Sequence, residues 1–353
     1  MSLTGRWGFR FVLGLRKMKG RLYRVQRTPM RRYGRGAGRA MAAVCISYEN
    51  GFQRKAEKLS MKLDLPMVGE WQGEQLGLQQ KLRRKASRQK RRNPEWVREG
   101  KEKDLGEFDY VMSVGKCLEV YSLERPFNPL KVDFQAGRAG YRIQNAVEGC
   151  DSNLIEKAVR VSHQPQIRVI DATGGLGLDA MILATRGANV TVIERCGVVF
   201  SVLQDGVIRA KQESFQHLDI NVVFGDSIEY LKCYIGNVQL PNPNNDPRDH
   251  VSKLGYNDPP HVIYMDPMYP HHQQRRSGAR KEMTVLRDLA GDDQDCVELL
   301  EVSLKTCLER VVVKRAIRAP PFTCAQKPLG YDLSLPGKSC RYDIYNSTRL
   351  PAV

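Results

Sequence analysis

The sequence predicts an α/β protein whose larger domain contains a parallel β-sheet. Three observations predict this class. Short apolar runs recur from residue 166 onward and several end in an acidic residue, helix-like segments separate these runs, and a glycine-rich turn follows the first of them. Because parallel strands must be joined by crossover connections, this alternation indicates βαβ units. A small α/β domain and a basic extension are expected before this sheet.

Length and composition limit the number of domains and the class of protein. The chain has 353 residues, enough for two domains, and its 41% hydrophobic and 27% charged content excludes wholesale disorder. No apolar stretch approaches about 18 residues, so we expect no membrane span. The nine cysteines are scattered and form no Cys-x-x-Cys pair. This pattern argues against a disulfide framework or a metal site, and it indicates a reducing compartment.

The net charge of +17 is concentrated at one end. The first 100 residues hold 25 basic and 7 acidic side chains, whereas the rest of the chain holds 31 and 32. We therefore expect a basic, transit-like leader over residues 1–40. A small α/β domain is expected over 41–134, with a basic insertion at about 70–107. The larger domain is expected over 135–350.

Two basic segments carry the positive charge. Residues 1–48 contain ten arginines, two lysines and no acidic residue, a composition typical of organellar transit segments, so the mitochondrial matrix is the expected location. The segment is poor in serine, and the alternatives are an RNA-binding arm in the cytoplasm or targeting to another organelle. Residues 81–92 predict an insertion that neutralises phosphates. A solvated helix would explain the second segment equally well, and a nuclear localisation signal is a further alternative.

The first apolar run leads into a glycine turn, Asp171-Ala-Thr-Gly-Gly-Leu-Gly-Leu-Asp179, and the second run ends in Glu194. The turn is predicted to let the backbone approach a ligand closely through Gly174, Gly175 and Gly177. Glu194, at the tip of the second strand, is placed to accept hydrogen bonds from a ribose diol.

Two cofactors fit this unit. Gly175-x-Gly177-x-x-Ala180 satisfies the dinucleotide fingerprint. The other candidate is S-adenosylmethionine, and Asp171 favours it, because a carboxylate at this position would repel a pyrophosphate but suits a ligand with ammonium and sulfonium centres. A tight turn without any ligand is the third alternative.

The third run, Ile220–Phe224, is followed by Asp226 and Ser227. Asp226 is predicted to accept a hydrogen bond from the adenine amino group, and Ser227 is predicted to cap the next helix. The alternative for Asp226 is a capping role alone. A segment rich in proline, asparagine and aspartate at about 235–260 predicts an insertion.

The fourth run ends in Asp266-Pro-Met-Tyr-Pro270, which resembles the [Asp/Asn]-Pro-Pro-[Tyr/Phe] signature of methyltransferases that modify exocyclic amino groups of bases. Such a nitrogen is a poor nucleophile because its lone pair is delocalised into the ring. The Asp266 carboxylate and a neighbouring carbonyl would accept its N–H bonds and orient the lone pair. Tyr269 would stack on a flipped-out base, and Pro267 would stiffen the loop. The alternative for this motif is a rigid turn with a structural role only.

From about residue 131 to 345 the chain resembles the bacterial RsmJ family of small-subunit rRNA guanine-N2 methyltransferases. The most specific matches are Asp266-Pro-Met-Tyr-Pro-His271 and Val313-Lys-Arg315. Further matching stretches are 132–134, 171–180, 194–195, 281–283, 319–321 and 338–345.

The resemblance implies a Rossmann-like methyltransferase domain that binds S-adenosyl-L-methionine. It places cofactor contacts at Leu178, Asp179, Glu194, Arg195, Asp226, Ser227 and Asp266. Leu178 stands where bacterial members tend to have arginine, and residues 132–146 lack the family's dense Arg-Lys-Gly-Gly run. The leader and the insertions suggest a eukaryotic organellar member.

RNA is expected to lie across the strand tips. The predicted phosphate contacts are His271, Arg275, Arg276, Arg280, Lys281, Lys314, Arg315 and Arg341. The alternative for these residues is a solvated loop.

The predicted activity is transfer of a methyl group to the exocyclic N2 of a guanine in small-subunit rRNA, without a metal and on an assembling mitochondrial ribosomal subunit. A catalytically silent assembly factor that binds this rRNA and an NAD-dependent oxidoreductase are the alternatives.

Overall fold

The computed structural model describes residues 17–18, 21–22, 42–70, 108–125, 128–149, 154–163, 166–235, 259–268, 281–324 and 327–347. Most of the predicted leader, the basic insertion from residue 71 onward and the segment 269–280 lie outside these ranges. Two short strands, β1 (Lys17–Met18) and β2 (Arg21–Leu22), pair in antiparallel fashion within a first compact unit, Met1–Arg35. All other elements belong to a second unit, Gly36–Val353.

Within the second unit, seven strands form a twisted sheet in the order β14-β15-β11-β10-β7-β8-β9. The strands are β7 (Arg168–Asp171), β8 (Asn189–Glu194), β9 (Ile220–Phe224), β10 (Val262–Met265), β11 (Arg310–Ala316), β14 (Leu333–Pro336) and β15 (Cys340–Asn346). Strands β7 to β11 are parallel, and β15 runs antiparallel to β11. The chain proceeds outward from β7 through β8 to β9 and then returns to β10, so the strand order reverses between β7 and β10. Ligands bind outside the carboxyl ends of the strands at such a switch point.

Helices cover both faces of this sheet. They are α2 (Gly137–Glu148), α3 (Leu154–Val159), α4 (Leu178–Thr185), α5 (Gly197–Glu213), α6 (Ser227–Ile235), α7 (Lys281–Ala290) and α8 (Cys296–Thr306). Successive side chains of a strand point to opposite faces, so Val262 and Tyr264 join one hydrophobic cluster and Ile263 and Met265 join the other. This double burial explains why the central strands read as continuous apolar runs.

A smaller four-stranded sheet has the order β4-β3-β5-β6. It contains β3 (Val44–Tyr48), β4 (Met67–Glu70), β5 (Tyr110–Val114) and β6 (Leu118–Ser122), with helix α1 (Gln53–Leu63) joining β3 to β4. Its side chains Ile46 and Met112 belong to the same hydrophobic cluster as Phe134 and Leu203 of the larger sheet region. The core therefore continues across the predicted domain boundary at residue 134.

Two short strands, β12 (Phe322–Cys324) and β13 (Lys327–Leu329), form an antiparallel pair after β11. Across the described ranges, none of the helices has the length and apolar character needed to cross a membrane.

Candidate active site

A cavity lies at the carboxyl ends of the parallel strands, beside the switch point. It is lined by all eleven residues predicted to bind a cofactor: Asp171, Gly174, Gly175, Gly177, Leu178, Asp179, Glu194, Arg195, Asp226, Ser227 and Asp266. Side chains that the sequence separates by almost one hundred positions thus meet in one place, because parallel strands present their carboxyl ends at the same edge of the sheet.

The glycine turn shapes one wall of this cavity. Gly175 and Gly177 adopt positive φ angles of 53° and 72°, a region that favours glycine. Gly174 has a different reason to be glycine: a Cβ atom there would lie 2.8 Å from Val192 Cγ1 and 2.9 Å from the Ile193 carbonyl oxygen. Turn conformation and contact with β8 therefore account for the glycines before any ligand is considered.

Glu194 ties the tip of β8 to this turn. Its Oε2 accepts a hydrogen bond from the Gly175 N–H at 2.8 Å, and its Oε1 accepts one from the Cys196 N–H at 2.6 Å. Only 7% of the residue is exposed, and burial raises the pKa of its carboxyl to about 7. Each oxygen retains a further lone pair with which to accept a hydrogen bond from a ligand hydroxyl.

Asp171, Thr173 and Asp266 form a chain of hydrogen bonds between β7 and the tip of β10. The Thr173 N–H donates to Asp171 Oδ1 at 3.1 Å, and the Asp266 N–H donates to Thr173 Oγ1 at 2.6 Å. Asp171 is buried, and burial raises the pKa of its carboxyl to about 7. The backbone of the Asp-Pro-Met motif is thus fixed to the strand that precedes the glycine turn.

At the carboxyl end of β9, the structure differs from one prediction. Asp226 Oδ1 accepts hydrogen bonds from the N–H groups of Ile228 and Glu229 at 2.9 and 3.2 Å, so Asp226 caps helix α6. The prediction that Ser227 caps this helix is wrong, because Ser227 is its first residue and its hydroxyl donates to the Ala172 carbonyl at 2.6 Å. Both residues nevertheless line the cavity.

Arg195 lies among three carboxylates, of which the sequence singled out Asp226 but not Asp293 or Asp295. Its guanidinium forms ion pairs with Asp293 and, at 2.6 Å, with Asp295, while Asp226 lies 3.9 Å away. The other oxygen of Asp293 accepts the Met268 N–H at 2.7 Å. Asp293 therefore joins the cavity wall to the loop that carries Asp266.

Lys314 occupies a position different from the predicted one. The sequence assigned it to RNA phosphates, whereas its ammonium lies inside the cavity, 2.7 Å from Asp179 Oδ2 and 2.7 Å from Asp266 Oδ2. Burial opposes its positive charge, but the two carboxylates outweigh burial and hold the pKa of Lys314 well above its ordinary value. The reason for the correction is the strand register: Val313 is paired with Met265, so the next residues along both strands meet.

Asp179 lies on the buried side of this cluster of charged groups. Its Oδ2 also accepts the Tyr264 hydroxyl at 2.7 Å, and its Oδ1 accepts Arg142 Nη2 at 3.2 Å. Burial by itself would raise the pKa of Asp179, but the nearby Lys314 ammonium outweighs burial and the pKa lies below its ordinary value. Arg142 and Tyr264 line the cavity, although Arg142 lies in no matching stretch and Tyr264, the first residue of the RsmJ match that runs to His271, was given no role there.

Two further predicted phosphate contacts also need revision. Arg315 is 4% exposed, and its guanidinium lies 4.2 Å from the centre of the Phe322 ring. Arg341 donates two hydrogen bonds to Asp343 Oδ2, at 3.0 and 3.1 Å, and one to the Ile317 carbonyl at 2.6 Å. Burial and internal pairing thus engage both guanidinium groups within the protein.

The remaining predicted residues are placed only in part. Pro267 is buried directly after Asp266, and Lys281 is the first residue of α7. Tyr269, His271, Arg275, Arg276 and Arg280 lie outside the described residues, and their roles stay predictions.

The lining suits S-adenosylmethionine better than a dinucleotide. Buried carboxylates at Asp171 and Glu194, together with that of Asp266, make the cavity acidic, which favours ammonium and sulfonium groups and disfavours a pyrophosphate. Within the described part of the chain, no group of three or more histidine, cysteine or acidic side chains is arranged to hold a metal ion.

Comparison with known proteins agrees with this geometry. The family model described as "Putative SAM-dependent methyltransferase" matches residues 107–347. The crystal structure of a SAM-dependent methyltransferase from Neisseria gonorrhoeae shares the fold with a TM-score of 0.53 at 22% identity, covering 87% of this chain and 97% of that one. Fold, site and family model together define a Rossmann-like methyltransferase that uses S-adenosylmethionine, so the predicted fold class and cofactor are confirmed.

Comparison with curated relatives identifies the family within this class of methyltransferases. The chain is 36% identical over 265 residues to ribosomal RNA small subunit methyltransferase J of Stutzerimonas stutzeri, covering 73% of this chain and 92% of that protein. It is 33% identical over 303 residues to the protein of the same name from Thioalkalivibrio sulfidiphilus, covering 86% and 97%. The chain belongs to the ribosomal RNA small subunit methyltransferase J (RsmJ) family, as the sequence motifs predicted.

Proposed function

We propose that this protein transfers a methyl group from S-adenosylmethionine to the exocyclic N2 of a guanine in small-subunit rRNA. One observation carries the proposal: the Asp266 carboxylate stands at the tip of β10, 44% exposed, in the same cavity as the cofactor residues. The names of the relatives support small-subunit rRNA as the substrate. The motif around Asp266 supports an exocyclic amine as the acceptor.

The chemistry needs an oriented nucleophile. When bound, S-adenosylmethionine supplies an electrophilic methyl group whose S–C bond electrons return to sulfur. Lys314 holds Asp266 Oδ2, which leaves Oδ1 to accept an N–H of the amine and to direct the nitrogen lone pair toward the methyl carbon.

The nitrogen must also lose a proton once its bond to carbon forms. Although the side chain is 44% exposed, the protein around the Asp266 carboxyl partly shields it from water and raises its pKa above the ordinary value, and the Lys314 ammonium opposes this effect. A carboxylate with a raised pKa is a better proton acceptor than an exposed one. Asp266 therefore orients the amine as a carboxylate and then accepts the proton that the amine releases.

The test is transfer of a labelled methyl group to small-subunit rRNA, with digestion of the product to nucleosides. The wild-type protein should yield labelled N2-methylguanosine, and Asp266→Ala should lower the rate by about 10²-fold or more, because the acceptor of the amine N–H is lost. Because Asp266 is also a predicted cofactor contact, calorimetry with S-adenosylmethionine measures the affinity of each protein, and the rates are compared at saturating cofactor. Specific binding to the rRNA without any transfer would instead identify a silent assembly factor.

The mitochondrial setting is a separate proposal that depends on composition. Ten arginines, two lysines and no acidic residue in positions 1–48 support import into the matrix, where the partner would be an assembling small ribosomal subunit. A carboxyl-terminal fluorescent fusion of the full chain should enter mitochondria. Substituting the arginines of residues 1–39 with glutamine should abolish import, and a fusion that stays in the cytosol contradicts this location.

A further inference from the structure

We propose that Lys314 is a positioning residue for Asp266, and that its charge allows two carboxylates of the active site to stand side by side. The inference rests on the proposed role of Asp266 in orienting the amine. It reassigns a lysine that the sequence placed on the RNA to the centre of the methyl-transfer site.

The distances support this role. Lys314 Nζ lies 2.7 Å from Asp266 Oδ2 and 2.7 Å from Asp179 Oδ2, so the two oxygens are no more than about 5.4 Å apart. Two carboxylates this close repel each other, and the repulsion raises the pKa of one of them unless a cation lies between them. Loss of Lys314 therefore favours the protonated form of Asp266, which is a poor acceptor for an amine N–H.

On the far side of the cluster, hydrogen bonds hold the Asp179 carboxylate in place. Asp179 is held by the Tyr264 hydroxyl at 2.7 Å and by Arg142 at 3.2 Å, and it is buried. Lys314, which bonds to Asp179 and Asp266 together, therefore transmits a fixed position from helix α4 to the tip of β10. The charged and titratable groups that surround the ammonium are Asp171, Asp179, Asp266, Arg142, Tyr264 and Tyr342.

A second lysine offers a matched control. Lys232 also bonds to two carboxylates, Glu229 at 3.1 Å and Glu298 at 3.3 Å, but all three side chains are exposed and lie outside the cavity. Lys314→Met and Lys232→Met thus remove the same charge from the same kind of pairing. Only the first removes it from the active site.

The first test is the pH dependence of kcat at saturating cofactor and rRNA. Lys314→Met should move the acidic limb of the profile to higher pH by about one unit or more, because Asp266 must lose its proton to act. Lys314→Arg, which keeps the charge, should restore the position of the limb, and Lys232→Met should leave the profile unchanged. A lower rate with an unmoved limb would overturn the proposal, because it would indicate a structural role alone.

The second test needs no turnover and uses the cofactor-free protein. Removing the cation raises the pKa of one carboxyl in the folded state above its unfolded value, so the folded Lys314→Met protein binds one more proton than the unfolded chain. Its stability should therefore fall as pH rises toward neutrality, with a slope steeper by about one proton than that of the wild type. Adding Asp179→Asn should remove the extra slope, because the repulsion between the carboxylates is gone.

These outcomes separate the two proposals. A wild-type protein that transfers no methyl group refutes the proposed function, whereas the stability slope still measures what Lys314 does to the carboxylate pair. Equal slopes for wild type and Lys314→Met would overturn the inference, whatever the activity. If Lys314→Met does not fold, Lys314→Gln supplies the same loss of charge.

Discussion

Asp293 forms two hydrogen bonds with the backbone of Met268, one as an acceptor and one as a donor. Its carboxylate accepts the Met268 N–H at 2.7 Å, and its own N–H donates to the Met268 carbonyl at 3.0 Å. The second carboxylate oxygen of Asp293 is paired with Arg195 at the cofactor cavity. The loop that presents Asp266 is therefore fixed by two separate elements, Thr173 on one side and Asp293 on the other.

Removing this support should slow methyl transfer. In Asp293→Ala, the loop keeps the backbone hydrogen bond from residue 293 but loses the carboxylate that accepts the Met268 N–H, so the reacting groups lose alignment and we expect kcat to fall by about 10²-fold. Single-turnover rates at saturating cofactor measure the effect. The matched control is Asp292→Ala, because Asp292 is exposed and pairs with Arg287 at 3.6 Å, away from the loop. Equal rates for the two variants would show that Asp293 does not position the loop.

Cofactor binding should release protons near neutral pH. Burial raises the pKa values of Asp171 and Glu194 to about 7, so both carboxyls are partly protonated in the free protein. A ligand with ammonium and sulfonium charges favours their ionised forms, and its affinity should therefore rise as pH increases through about 7.

Calorimetry in buffers of different ionisation enthalpy counts these protons. S-adenosylhomocysteine is the control ligand, because it keeps the ammonium group but lacks the sulfonium charge, and it should release fewer protons. An equal proton count for the two ligands would show that the sulfonium does not lie near these carboxyls.

The glycine turn should tolerate no side chain at Gly177. A Cβ atom there would lie 2.4 Å from Leu203 Cδ1, and the φ angle of 72° is unfavourable for alanine. We expect Gly177→Ala to lower the free energy of unfolding by about 2 kcal/mol or more. Gly225→Ala, at a site with no atom within 4 Å, should change it by less than about 0.5 kcal/mol. Denaturant unfolding compares the two, and equal stabilities would refute this explanation of the turn.

The residues at the strand tips were predictable because strand ends carry local signals. An apolar run that ends in an acid marks a buried strand and its tip, as it does at Asp171, Glu194 and Asp266, and Asp226 follows its run after a single glycine. The parallel arrangement then brings them together without further information. The RsmJ motifs led to the same residues independently.

The residues that hold the strand-tip side chains in place could not be predicted from local sequence in this way. Arg142 reaches Asp179 from helix α2, and Asp293 reaches Met268 from the segment after α7, across 37 and 25 positions. Neither lies in a motif, because their contacts depend on how helices pack against the sheet. Lys314 was identified but misassigned, since a lysine at a strand end looks the same in sequence whether it faces solvent or a pair of buried carboxylates.

The central claim is that the Asp266 carboxylate directs a guanine N2 amine toward the methyl group of the cofactor. Its most direct test maps N2-methylguanosine in small-subunit rRNA from cells that lack this protein and are resupplied with wild type or Asp266→Ala. The account predicts that one guanine loses its N2-methyl group in the deletion, regains it with the wild type, and stays unmethylated with Asp266→Ala. Unchanged methylation in the deletion, or full restoration by Asp266→Ala, would contradict it.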